Sequence, residues 1–595
     1  RARKMNIKET LKRKENCIAA LVFSALLAVI TGLFFDYYFA LNDDMLMKDI
    51  VAGIYTGTPS GYNIQMLYPL SWTLSLLYRL VRTVPWYSLF FLFCQFGCIY
   101  LITERILTFF QKKWTKGIAL LAEAALLVTL LLSELVFVQY TVTAALLAGT
   151  AAFLFYTAPA AESVKDFLKK NTVSIVLAVL AYQMRTEMLL LMLPFICVTG
   201  VCRWAKECPV FTKRNFQKYL SMIGLIFAGM ALSQGVHMIA YGQGAWPEFN
   251  RFFDNRTELY DFQTIPPYAE NTAFYESIGL TESEYTLLVN YDFGMDEKID
   301  ADILGKIAEY AASLKKETEP SFSAQLKKAA WELKYRLLYE TDRPYNQVVM
   351  VLYIFVLAAA LYNRYFHILW ELPFLGFVRS CLWLFILYRG RSPERITHSL
   401  YLMEIIVLTA LLFKEAAALK TQKIRQLSTV LILLAVCACC ISYTGKSVRA
   451  VQEEYSRREE VNTAYESLLS YTKEHPERFY FWDVYSSVAY SEKFFSGQKN
   501  TLSNLDIMGG WANKSPLTEK KYGQFGFTSM EEAILTMDNV FVVVKEPEVA
   551  GLPALSDWIT AYYAEKGINI GVKKADSVYT KDREVFGIYR IYPIL

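Results

Sequence analysis

Charge is scarce in this chain. Asp, Glu, Lys and Arg make up 20% of its 595 residues, against 54% hydrophobic and 15% aromatic. So little charge excludes a soluble enzyme of several domains, and this much excludes a chain lying wholly within a membrane. There are ten cysteines, but all fall in or beside apolar runs, which excludes a disulfide framework. Their spacing suits no metal site, and Cys437, Cys439 and Cys440 read as small packing residues. The chain has no basic domain and no zinc or RNA-binding motif, so nothing points to nucleic acid. No glycine-rich phosphate loop precedes a helix, and Gly509-Gly510-Trp511 reads as a turn with a packed aromatic. Ser-His-Asp, His-Glu-x-x-His and nucleotide-hydrolase patterns are missing, as are internal repeats and low-complexity linkers.

What is present is a series of apolar runs. They predict about eleven membrane spans, at 17–36, 64–82, 86–108, 116–135, 139–158, 172–198, 217–240, 345–362, 366–388, 399–417 and 426–445. Arg1, Arg3, Lys4, Lys8, Lys12, Arg13 and Lys14 precede the first span and should keep the N-terminus in the cytoplasm. An odd count then puts the C-terminus outside. Basic residues agree in most inner loops, such as Arg79 with Arg82 and Arg203 with Lys206. They disagree at Lys112, Lys113 and Lys116 and at Lys165, Lys169 and Lys170, where the count predicts outer loops. Short or tilted helices within 86–170 would explain the conflict.

Two regions lie outside by this count. Residues 241–343 carry 19 acidic and 11 basic side chains, a net of −8 (11 − 19), and read as mostly helical over 281–340. Residues 446–595 change character. Runs at 478–482, 539–544 and 585–592 predict strands, with helical patterns at 529–537 and 553–566 between them. The chain therefore divides into a transmembrane domain, 1–445, and an extracytoplasmic α/β domain, 446–595.

The chemistry concentrates after the first span. Asn42-Asp43-Asp44 opens a segment in which Leu46, Ile50 and Ile54 recur every four residues, as in a short surface helix. Acidic side chains there either cap the helix and complement its dipole, or supply a general base. Asp36 reads as a satisfied polar residue near the span end. A second cluster, Arg389, Arg391 and Arg395, places three arginines in seven residues of an outer loop. Gly390 and Pro393 make a turn that can converge the guanidinium groups on a lipid phosphate. Headgroup anchoring, or pairing with Glu394, is the alternative. In a third set, Arg251 and Arg256 can add to a phosphate site and Trp246 can stack on a sugar, unless they belong to an ordinary surface helix. Arg185 and Glu187, inside the sixth run, line a cavity or pair with other buried groups.

With its first span leaving the cytoplasm, an acidic pair opening the first outer loop, about eleven spans and an outer C-terminal domain, the chain resembles the GT-C superfamily of membrane glycosyltransferases. Protein O-mannosyltransferases and lipid A aminoarabinose transferases share that plan. The likeness covers 17–445 as architecture, and its only short motif is the acidic pair. It implies a polyprenyl-phosphate sugar donor, a glycan, lipid or cell-wall acceptor, and inverting chemistry in one displacement. Asp43 matches the family's catalytic Asp, with Asp44 where many relatives have Glu. The 389–395 arginines match only by role. Some relatives use a divalent cation, which two adjacent carboxylates would allow. The implied setting is a bacterial plasma membrane. A lipid or polysaccharide transporter and a non-catalytic scaffold are the competing readings. Inverted repeats and polar spans would favour the first, and indifference to loss of Asp43 the second.

Overall fold

The computed structural model describes residues 2–594 apart from 111, 319, 363, 391, 419–421, 497–501, 548–553 and 582. It gives backbone alone for 2–10, 317–318, 414–418, 422–433, 436 and 439. Among the described residues, nine helical segments are long and apolar enough to cross a membrane.

Helix α1 (Ala2–Phe35) ends at Asp36, whose φ of 53° turns the chain into β1 (Tyr38–Phe39). Helix α2 (Asn42–Ala52) stops at Gly53, which is left-handed at φ 81°. Helix α3 (Tyr68–Leu80) corrects the predicted second span. Its thirteen residues reach about 20 Å, short of the roughly 30 Å apolar core of a bilayer. Then come α4 (Trp86–Phe109), α5 (Lys113–Leu126), a π turn, α6 (Leu132–Val136) and β2 (Phe137–Val138), which pairs in parallel with β1. Helix α7 (Tyr140–Thr157) is buried along its whole length. Small residues let its neighbours close in: a Cβ on Gly149 would lie 2.7 Å from the Ile406 side chain.

The predicted span 172–198 is two helices, α8 (Val164–Met184) and α9 (Thr186–Trp204). Arg185 breaks them with extended backbone, φ −154° and ψ 99°. Hydropathy runs straight through this break, so the sequence gives one span where the chain makes a hairpin. Of the pair, only α9 is among the nine segments long and apolar enough to cross, and α4 to α8 run opposite to the directions predicted relative to α1. Helix α10 (Lys213–Tyr241) follows, then the loop-region helices α11 (Trp246–Thr257), α12 (Thr272–Ser277), α13 (Glu282–Val289), α14 (Ala301–Thr318) and α15 (Phe322–Arg336). Helices α16 (Tyr345–Tyr362), α17 (Ile368–Tyr388) and α18 (Glu394–Ala418) complete the apolar set, and α19 (Gln422–Glu474) runs on beyond the predicted span 426–445.

Contacts sort the helix ends. Asn16 accepts from Lys116, Phe109 stacks on Phe413 at 5.4 Å, and Arg203 reaches Asn171 at 3.1 Å. Lys206 stands 3.6 Å from Glu371. Lys112, Lys113 and Lys116 therefore share the end of the bundle with the basic N-terminal segment, and so do Lys165, Lys169 and Lys170 at the start of α8. Arg79 and Arg82 lie at the opposite end, donating to Pro59 O (3.1 Å) and Gly57 O (3.2 Å) of the α2 loop. These positions reverse the sidedness predicted for both groups.

At the α2 end sits a five-stranded sheet of β3 (Phe479–Trp482), β4 (Leu505–Ile507), β5 (Val540–Lys545), β6 (Ile570–Thr580) and β7 (Arg583–Pro593), ordered β4-β3-β5-β7-β6. Strand β3 is parallel to β4 and β5, and β7 is antiparallel to β5 and β6. The predicted strands and helices of this region are all found. Backbone bonds join it to the other outer parts: Ser503 donates to Ile54 O (2.9 Å) and Gly294 to Met508 O (2.9 Å).

Candidate active site

Helix α2 begins where β1 delivers the chain to Leu41, which is extended and caps nothing with its side chain. Asp43 and Asp44 fall in the first turn, where the helix dipole favours negative charge. Asp43 is half-buried, whereas Asp44 is 1% exposed. Asp44 Oδ2 has no hydrogen-bond partner among the described residues.

Three arginines from three distant segments act on Asp43: Arg256 most strongly, then Arg395, then Arg185. The Trp511 indole N–H also acts on this carboxylate, favouring its charged form. Burial is the larger influence and lifts the Asp43 pKa above the usual carboxylate range, while these four groups hold it down. Asp44 is raised further, first by burial and then by the Asp43 charge. The Tyr140 backbone N–H, Arg395 and Arg185 oppose that rise. Two adjacent carboxyls are thus held in different environments, and Asp43 is the more readily ionised of the two.

Each partner is positioned by its own element. Arg185 occupies the α8–α9 break, so its guanidinium faces the site rather than a helix interior. It donates to Gln65 Oε1 (3.0 Å) and Tyr140 OH (3.2 Å), and it pairs with Glu187 at 3.0 Å. Arg395 lies in the first turn of α18. Arg256 closes α11 with its guanidinium carbon 5.8 Å from the Tyr260 ring centroid, and its buried Nε has no hydrogen-bond partner among the described residues. Trp511 is held by glycine chemistry. A Cβ on Gly509 would lie 1.7 Å from Tyr291 O, an impossible approach, and Gly510 takes φ 103°. Nothing but glycine fits at 509, which is the signal in the Gly-Gly-Trp turn that sequence reasoning passed over.

No protein-family model matches this chain, and neither does any curated protein or solved structure. The site rests on its own geometry.

Other predicted residues lie elsewhere. Arg251 is half-exposed and committed to Asp302 and to Glu248 at 2.7 Å, a surface ion-pair set. Arg389 packs its guanidinium over Phe262 at 5.3 Å. Arg391 lies outside the described residues. Trp246 is 7% exposed and stacks on Tyr62 (4.6 Å, 9° between planes), which leaves no face for a sugar. Asp36 accepts from Tyr455 OH (3.0 Å) and pairs with Lys493 at 3.0 Å, apart from Asp43. A divalent cation suits this site poorly, since three guanidinium groups surround the carboxylates. Among the described residues no group of three or more His, Cys, Asp or Glu converges to hold one.

Proposed function

We propose that this chain is a membrane glycosyltransferase of the GT-C type, which moves a sugar from a polyprenyl-phosphate donor to an acceptor hydroxyl. The observation that carries the reading is Asp43 under the joint influence of Arg256, Arg395 and Arg185. A carboxylate base beside converged guanidinium groups suits a displacement that needs a proton removed at one end and negative charge held at the other. In that step Asp43 takes the acceptor O–H proton as the acceptor oxygen bonds to the anomeric carbon. The bond from that carbon to the phosphate oxygen breaks, and its electron pair leaves with the polyprenyl phosphate. Arg256, Arg395 and Arg185 hold the charge that develops there. One displacement of this kind inverts the anomeric centre.

Sidedness supports the reading. With Lys112, Lys113, Lys116, Lys165, Lys169 and Lys170 gathered at the end of the bundle that holds the basic N-terminal segment, that end faces the cytoplasm. The site and the sheet then face outward, where lipid-linked sugars are used.

The test is direct. The protein in nanodiscs receives radiolabelled polyprenyl-phosphate sugars, and release of polyprenyl phosphate is followed for wild type and for Asp43→Asn. The reading expects turnover by wild type alone; full activity in the variant sinks it.

A further inference from the structure

A cavity of about 320 Å³ opens beside Asp43, between α2 and the C-terminal domain. That size is at the small end of the roughly 300–1,000 Å³ found for ligand pockets. One wall is the face of α2 bearing Asp43 and Asp49. The other is β3 at Trp482 with residues 502–507, and Arg256 reaches in from the loop region. Val488, 49% exposed, stands on its lining. Among the described residues, Arg395 and Arg185 do not line it, so it shares Asp43 and Arg256 with the arginine group but not the other two guanidinium groups.

Two lining residues hold donors that are buried and, among the described residues, without a hydrogen-bond partner: Trp482 Nε1 and Arg256 Nε. The nearby Asp49 Oδ1 is already met by Lys48 Nζ at 3.0 Å. Each such atom is destabilising by about 1–3 kcal/mol unless something meets it. The chemistry of the walls selects what that is. The walls carry both signs, Asp43, Asp49, Glu492 and Asp506 against Arg256, Lys473 and Lys521, so an anion that satisfies the two N–H groups also faces four carboxyls. A cation would suit the carboxylates and leave the donors orphaned. A neutral molecule with several hydroxyls both donates and accepts, so it answers every group.

We propose that this cavity binds the acceptor, a neutral polyhydroxylated molecule of the glycan class, and that the C-terminal domain thereby selects the acceptor. The word acceptor rests on the transferase reading; the binding site does not. The donor phosphate, being anionic, belongs on the arginine side of Asp43.

The full-length protein in nanodiscs is titrated with a panel of methyl and p-nitrophenyl glycosides of hexoses and pentoses, and binding is read calorimetrically. At least one glycoside binds wild type. Trp482→Phe keeps a ring but loses the N–H and weakens that glycoside about tenfold. Val488→Trp, made at an exposed position that core packing does not constrain, obstructs the opening and abolishes binding. Thermal unfolding midpoints confirm that both variants fold. If no glycoside binds wild type, or if both variants bind as wild type does, the proposal is overturned. Glycoside binding without transfer from any polyprenyl-phosphate sugar keeps the site and removes the transferase reading instead.

Discussion

In the middle of the bundle, Glu404 gives one oxygen to Arg379 at 3.0 Å and the other to Tyr353 at 2.9 Å. At the end of the bundle, Asp44 keeps one oxygen unpartnered among the described residues, and Asp43 is attended by Arg256 and Arg395 and by Arg185, which also pairs with Glu187. Both places bury carboxylates and each leaves one polar atom without a partner among the described residues, Arg379 Nη2 in the first and Asp44 Oδ2 in the second, yet only the first pairs its charges one to one. A one-to-one pair such as Arg379–Glu404 has no net charge to offer a ligand, and removing either member leaves an uncompensated charge. The Asp43 group has cationic capacity left over, which is what an anionic leaving group requires. Balance, rather than burial, separates a structural charge from a functional one here.

That contrast can be broken in several ways. The largest effect is expected from Asp43→Asn, which should cut transfer by about 10²–10⁴-fold with the fold intact, read as release of polyprenyl phosphate. Glu404→Leu should do the opposite. It leaves Arg379 unpaired and costs about 3–5 kcal/mol of stability, read as a lowered unfolding midpoint, while protein that remains folded keeps its turnover. Similar losses of turnover from both would erase the distinction. Arg395→Ala should lower transfer by about 10²-fold and also move the acid limb of the rate profile to higher pH. The sign follows from charge: Arg395 lowers the Asp43 pKa, so its loss makes the base protonate more readily. Trp511→Phe removes one N–H from Asp43 and should cost up to about tenfold in transfer, with the same upward shift of that limb. The smallest effect belongs to Asp44→Asn. Folding raises the Asp44 pKa, so its contribution to stability is present at low pH and is lost as pH rises through the folded value. The variant should show an unfolding midpoint that falls less steeply than wild type as pH rises from the ordinary carboxylate range toward the folded value.

Much of this arrangement was legible in the chain. Strands β3, β5 and β7 announce themselves as β-branched and aromatic runs, and α2 as a four-residue apolar spacing behind two acids. Asp43, Arg256 and Arg395 were among the residues the sequence singled out. Arg251 and Arg389 were singled out on the same grounds, and they turn to Asp302 and Phe262 instead. Nothing local distinguishes Arg251 from Arg256, five residues on along the same chain segment, because the partner that decides each lies far away in sequence. The span 172–198 was misread for a related reason: hydropathy averages over a window and cannot see a single residue, Arg185, that reverses the chain.

The sequence by itself determined that this protein is a bundle of apolar helices with an acidic pair after the first and a sheet at the end. Those features follow from periodicity and hydropathy, which act over a few residues. Tertiary structure alone decided which way α4 to α8 run, which three arginines meet Asp43, and that Trp511 meets it from the C-terminal domain. These are long-range encounters, fixed by packing and by the strand-like break at Arg185, and no local pattern encodes them.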